Sequence, residues 1–278
     1  MNGPTWTSED VPELKPLGWA GKLLVGARAI GCLLVTVVGF LSLVLCRMVE
    51  RPVFGMARPW SPHLAVMYFR VLLRVIGLPV IHRGSPMVEP GVIVANHSSW
   101  LDIFALNSGG PLFFVSKSEV SNWPVIGALA RFSGTVFISR DRKNAQIQKN
   151  VFEDRLRAGH KLLFFPEGTS SDGQRVLTFK PTLFAALFSP DLPGLSVQPV
   201  SVVYHTVEGQ DARHYGWWGD MAFGPHVSQV FGARRQGRIE VTWHDPLIVS
   251  DFADRKHLSA AAEQAVRAGH SPSIQSGD

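Results

Sequence analysis

Eighteen consecutive residues without a charge, Ala29 to Cys46 (AIGCLLVTVVGFLSLVLC), are the strongest constraint on how this chain can fold. As a helix rising about 1.5 Å per residue the run reaches roughly 27 Å, near the lower limit for crossing a bilayer core. It starts late and is not followed by a small-x-small cleavage site, which argues against a removed signal peptide. A core helix of a soluble protein and a membrane-embedded helix remain. The placement of charge favours the second. Residues 1–28 balance three basic against three acidic side chains, and from residue 84 onward 18 basic meet 18 acidic ones. Residues 47–83 carry Arg47, Arg51, Arg58, Arg70, Arg74 and Arg83 against Glu50 alone, which is the whole formal excess of +5. Basic residues that follow an apolar helix mark its cytosolic end. A nucleic-acid binder more often carries its basic patch on the folded domain, so no nucleic-acid partner is expected. The expected location is the inner (cytoplasmic) membrane, with the rest of the chain on the cytosolic face.

A second apolar stretch, His63 to Val80, follows the Arg51-Pro52 break. Arg70 and Arg74, four apart, share one helical face, and Leu64, Met67, Val71, Leu72 and Ile76 make much of the opposite one. Such a helix suits a membrane surface, and it suits packing on a globular domain equally well. The two cysteines, Cys32 and Cys46, lie inside the apolar run, so neither a disulfide framework nor a metal-binding spacing is available. No cofactor or metal is expected.

From residue 84 the pattern alternates. Strand candidates are 92–95, Leu112–Val115, Thr135–Ile138, Lys161–Phe165, Val197–Tyr204 and Ile239–Trp243. A helical pattern runs from Asp141 to Ala158, and a shorter apolar helix from Pro181 to Phe188 is opened by proline. The fold class is therefore α/β. A single mixed-sheet domain over residues 84–268 follows an N-terminal membrane-associated helical pair in 1–83, and 269–278 form a polar tail.

Four short runs carry chemistry, each at a strand end. Asn96-His97-Ser98-Ser99-Trp100-Leu101-Asp102 follows the apolar run 92–95. There a carboxylate five residues on can hold one imidazole nitrogen while the other faces a cleft, as a general base requires. The plainer alternative is a histidine that caps a helix and an aspartate on its surface. Gly134 to Arg140 is a strand that delivers Arg140, able to clamp an anion or to pair with Asp141. Phe165-Pro166-Glu167-Gly168-Thr169 presents Glu167 either to a substrate hydroxyl or to nearby backbone amides. The fourth, around Pro199, has a proline within a strand, which points to a sheet edge or a bulge.

These four runs, in this order over roughly residues 85–245, resemble the glycerolipid acyltransferase family, which includes 1-acylglycerol-3-phosphate acyltransferases. Its N-H-x4-D block is matched by Asn96, His97 and Asp102, G-x-x-F-I-x-R by Gly134 to Arg140, and F-P-E-G-T by Phe165 to Thr169. The resemblance implies transfer of a fatty acyl group from a thioester donor, acyl-CoA or acyl carrier protein, to a lysolipid hydroxyl. His97 would act as base and Asp102 as its orienting partner. No G-x-S-x-G elbow occurs, so direct transfer without an acyl-enzyme is expected, with backbone amides at the start of the following helix as plausible oxyanion donors. Arg140, Glu167, Gly168 and Thr169 match acceptor-binding positions, and Lys117 and Lys180 fall where relatives often carry lysine.

One departure bears on the acceptor. Family members that form phosphatidic acid usually read F-P-E-G-T-R-S, whereas Ser170 stands in the arginine position here. Arg175 or Lys180 could take over that charge. The run Glu167 to Gly173, together with Gly216-Trp217-Trp218-Gly219-Asp220-Met221 and Pro225-His226, more closely resembles bacterial relatives that acylate lyso-ornithine lipid. A catalytically idle lipid-binding protein and a thioesterase-like hydrolase are the alternatives on the same scaffold.

Overall fold

The all-apolar run Gly91–Ala95 forms β2, and all five residues are buried because helices cover both faces of the sheet around it. The structure is a computed structural model that describes residues 6–8, 12, 16–118, 121, 126–138 and 145–270. Among these, the other strands are β1 (Val80–Arg83), β3 (Phe113–Lys117), β4 (Val136–Ile138), β5 (Lys161–Phe164), β6 (Ser196–His205), β7 (Arg238–Trp243) and β8 (Leu247–Ile248). They make one mixed sheet in the order β1-β7-β6-β2-β5-β3-β4, with β8 beside the start of β6. The pairs β6–β2, β2–β5, β5–β3 and β3–β4 are parallel, whereas β7 and β8 run antiparallel to β6.

The helices are α1 (Trp19–Phe54), α2 (Ser61–Ile76), α3 (Leu101–Gly109), α4 (Ile126–Ser133), α5 (Ala145–Arg157), α6 (Phe223–Gly232) and α7 (Arg255–Gly269). One face of the sheet packs Ile93, Leu163 and Val202 against Leu73 and Ile76 of α2, Leu101 and Leu106 of α3, and Val230 of α6. The other packs Val92, Val94 and Leu162 against Phe152 of α5, Phe184 and Leu187, and Leu258, Ala262 and Val266 of α7.

The apolar run lies within α1, a 36-residue helix. Ile30, Leu33, Leu34, Val37, Val38, Leu41 and Leu45 recur at three- and four-residue steps and point outward, each about half or more exposed. The inward side rests on α2. A Cβ built on Gly39 would come within 2.7 Å of the Tyr68 ring, and Thr36 Oγ1 lies 3.0 Å from Tyr68 Oη. Helix α2 packs on the globular domain, burying Leu72, Leu73 and Ile76 in the core while leaving Met67 63% exposed.

One boundary changes. Val80–Arg83, assigned from the sequence to the N-terminal part, is sheet strand β1, paired with β7 from Val80 to Ile239. The short helix expected at Pro181–Phe188 is present with those bounds, wound as a 3₁₀ helix. Of the two settings its proline pointed to, the strand containing Pro199 is not at an edge but lies at a bulge, since two residues of β6 between Val197 and Val200 face three between Trp243 and Leu247. Its outer neighbour is β8 as far as Val197 and β7 from Val200 onward, so Pro199 falls in the gap where no ladder partner needs its missing N–H. Its carbonyl accepts from His244 N at 3.0 Å on that same side.

Candidate active site

Where β2 ends, the chain turns through Asn96 and His97 into α3, and Asp102 on the first turn of α3 folds back over the turn. Asn96 anchors the turn to β6, with Nδ2 donating to Val202 O at 2.9 Å and Oδ1 accepting from Val202 N at 2.8 Å. His97 Nδ1 lies 2.7 Å from Asp102 Oδ2, which also accepts from Ser98 N at 2.7 Å and Ser99 N at 2.9 Å. The other oxygen, Oδ1, accepts from Tyr204 Oη at 2.5 Å. Four donors thus converge on a carboxylate that is fully buried, as a charge taken out of water requires. Burial and the adjacent carboxylate push the Tyr204 phenol well above its ordinary range, so it stays a donor.

With Nδ1–H donated to Asp102, the lone pair of His97 is on Nε2. The imidazole is 23% exposed and stacks on Phe165 with centroids 4.0 Å apart. An imidazole held in this way can take a proton from a hydroxyl and return it. The amides of Ser98 and Ser99 are spent on Asp102, Asp102 N donates to Ser99 O and Leu101 N to Ser99 Oγ. These amides at the start of α3, expected to bind an oxyanion, therefore already have acceptors.

The Phe165–Thr169 loop closes over the same turn. Glu167 is 2% exposed and braces it, with Oε2 accepting from His97 N at 3.1 Å and Oε1 from Leu177 N at 2.9 Å. This is the second of the two roles its position allowed, a carboxyl that binds backbone amides. Burial pushes its pKa up to about 8 against the pull of those two N–H donors. Gly168 has φ +70, and a Cβ there would come within 2.7 Å of Lys180 Nζ, so the exposed Lys180 lies over the loop. Thr169 Oγ1 accepts from Trp6 N at 3.3 Å, and Ser170 is half-buried beside it. Arg175 is committed to Asp172, 2.9 Å away, with its guanidinium 5.3 Å from the Trp6 ring. That leaves Lys180 as the better replacement for an arginine at position 170. Arg140 lies outside the described residues, as does the side chain of Lys117 at the end of β3.

The tryptophan segment touches the turn directly. Trp217 N donates to Ser98 O at 2.8 Å, and Trp100 Nε1 donates to His226 Nδ1 at 3.1 Å. A Cβ on Gly216 would come within 2.9 Å of Asp172 O, so the two loops meet closely at that glycine. Tyr204 escaped the sequence reading. Its only signal is a phenol close to the end of a buried strand.

The Acyltransferase family pattern matches residues 73–203. A lyso-ornithine lipid O-acyltransferase of Rhodobacter capsulatus is 48% identical over 270 residues, 97% of this chain and 98% of that one. Another of the same description, from Brucella abortus, is 36% identical over 75% of this chain and 82% of its own. The crystal structure of PlsC, the 1-acyl-sn-glycerophosphate acyltransferase of Thermotoga maritima, superposes with a TM-score of 0.64 at 18% identity, covering 92% of this chain and 98% of that one. The fold is therefore shared with that enzyme, and the match to the Rhodobacter capsulatus relative runs nearly the full length of both chains. The chain belongs to the acyltransferase family.

Proposed function

We propose that this acyltransferase moves a fatty acyl group from a thioester donor, acyl-CoA or acyl carrier protein, to the hydroxyl of a lysolipid, with lyso-ornithine lipid as the main acceptor. The observation that carries the chemistry is the His97–Asp102 contact with Nε2 left free. Nε2 accepts the acceptor's hydroxyl proton as the oxygen attacks the thioester carbonyl. The tetrahedral adduct then collapses, the C–S bond breaks, and the imidazolium returns the proton to the departing thiolate. Asp102 holds the Nδ1–H tautomer and stabilises the imidazolium. Lys180, Thr169 and Ser170 line the acceptor side of the loop, joined by Arg140 and Lys117 in the roles the family resemblance gives them. Glu167 and Gly168 shape the loop.

Acceptor identity rests on the 48% identity to a lyso-ornithine lipid O-acyltransferase and on serine at position 170. Residues 80–268 form the catalytic unit, with β1 as its edge strand, and the helices before it attach it to the cytosolic face of the inner membrane. That attachment rests on the uncovered apolar face of α1, a helix long and apolar enough to cross a bilayer. The test is mass spectrometry of lipids formed from one acyl donor and a panel of lysolipids. Diacylated ornithine lipid as the main product is expected. Thiol release that does not depend on any lysolipid would replace this reading with a hydrolase.

A further inference from the structure

At the end of the sheet opposite His97, a cavity of about 660 Å³ is lined by Arg47, Arg51, Arg58, Arg131, Arg155 and His160. His160 immediately precedes β5, whose first residue Lys161 pairs with Gly91 at the start of β2, whereas His97 follows the other end of β2. The five residues of β2 put roughly 16 Å of sheet between the two places. Among the described residues the lining holds no carboxylate. Arg47 is paired with the buried Glu50 at 2.8 Å, and among the described residues Arg51, Arg58, Arg131 and Arg155 form no ion pair. Arg131 donates to Ser121 O, and Arg155 donates to Gly134 O and to His160 Nδ1, all of them neutral acceptors.

The site is built, not incidental. Arg155 and His160 are 9% and 4% exposed, and the His160 ring is held between Arg155, whose Nε donates to Nδ1 at 2.6 Å, and the backbone of Met56 and Ala57. Arg58 has φ 49, a left-handed backbone that non-glycine residues rarely adopt, and its guanidinium packs on Gly134 and on the Phe113 ring. Burial together with neighbouring arginines lowers Arg58 and Arg155 to about 10. Like charges gathered at this density call for an anion from outside the chain. Beside the cavity the surface is apolar and open, with Met48, Val53, Met56 and Trp60 between 47% and 68% exposed. A soluble phosphate ligand has no use for such a border. A phospholipid has, since its phosphate sits where acyl chains meet water.

We propose that this cavity binds the phosphate headgroup of an anionic membrane phospholipid as a non-substrate ligand that seats the protein on anionic bilayers. The proposal rests on the membrane attachment of α1 and is independent of the catalytic assignment. Guanidinium pairs such as Arg51 and Arg58 would chelate the phosphate oxygens, with the acyl chains alongside Val53 and Met56.

The test uses the full chain purified in a neutral detergent and offered equimolar phosphatidylglycerol and phosphatidylcholine, with retained lipid read by native mass spectrometry. Wild type should retain phosphatidylglycerol at least about tenfold over phosphatidylcholine, and Arg51→Gln and Arg58→Gln should each reduce that preference to within about twofold. Arg51 is exposed, so its replacement leaves the core untouched, and an unchanged melting temperature with normal thiol release in neutral micelles checks this. Undiminished preference in both variants would overturn the proposal. So would displacement of the lipid by inorganic phosphate or free CoA at matching concentration, or an acidic acyl carrier protein that loses binding in the variants while lipid retention persists. Sedimentation with pure phosphatidylcholine vesicles separates the two readings. A wild type that sediments with no vesicle refutes the membrane attachment, whereas sedimentation of all three proteins without a phosphatidylglycerol preference refutes only the cavity.

Discussion

The two ends of the parallel strands treat charge in opposite ways. At the carboxyl end of β2, the buried Asp102 is satisfied from within the chain by His97, two amides and Tyr204. Around the amino end of β5, arginines crowd a cavity with a single acid beside it. The first arrangement fixes a geometry, because both carboxylate oxygens of Asp102 already have donors. The second leaves electrostatic work undone until something binds. On the readings proposed above, the closed network is where the chain does chemistry and the open one is where it needs a partner.

The severest test of the closed network is His97→Ala. Loss of a general base typically costs about 10²–10⁴-fold, and since no other described side chain can take over the proton, thiol release should fall by about 10³ or more. Near-normal turnover in a folded His97→Ala protein would end the proposed mechanism. Asp102→Asn should leave more activity, because the imidazole stays in place but loses its tautomer control. Tyr204→Phe probes the outermost member of the network. It leaves three donors on Asp102, so we expect a drop of about tenfold in kcat with KM little changed and a loss of about 1.5–3 kcal/mol in stability. A Tyr204→Phe enzyme indistinguishable from wild type in both would show that the fourth donor is dispensable.

Ser170→Arg sharpens the comparison by importing an unpaired guanidinium into the closed end. A contact worth 1.4 kcal/mol is tenfold in relative specificity, so competition between lyso-ornithine lipid and lysophosphatidic acid should shift by about that factor toward the phosphate lipid. An unchanged ratio would place position 170 away from the headgroup.

The smallest effect concerns protons. Burial holds His160, His214 and His226 down to about 4, from an ordinary value of 6.5, with Arg155 adding to the effect at His160. Between those values the unfolded chain binds protons that the folded chain refuses. The contribution of these three histidines is therefore flat above about pH 6.5 and declines as pH falls toward 4, offset in part by Glu167, whose raised carboxyl contributes in the opposite direction between 4.5 and about 8. The melting temperature should drop across that window. His160→Gln should remove one of the three contributions, and a pH profile unchanged by it would mean that His160 titrates normally.

Much of this was legible in the sequence, because strands buried on both faces are written as short apolar runs and the turn residues stand at their ends. The bounds expected for β2, β3, β5, β6 and β7 fall within two residues of those observed. Three helices escaped notice, α4, α6 and α7. In α6, Gly224, Pro225 and Gly232 punctuate the run, although a proline in the first turn of a helix costs little. In α7, Leu258, Ala262 and Val266 keep helical spacing, but alanine weakens the stripe. The partners of the site were less legible for a different reason. Tyr204 reaches Asp102 across 102 positions of sequence, and the inward turn of Glu167 depends on the amide of Leu177. Contacts of that kind are decided by strand order, which no local pattern records.

Pro199 has a bearing on how the molecule assembles. Strand β6 must accept β8 along its first half and β7 along its second, and the two arrive from consecutive pieces of chain. A residue with an N–H at that junction would let either partner slide past the boundary, and a slip of one residue turns every side chain to the other face. The side chains of β7 and β8 would then change face, while Tyr204 stays aimed at Asp102 because β6 is held from the other side by β2 and Asn96. By withholding one donor, the proline marks the boundary at which one ladder gives way to the other.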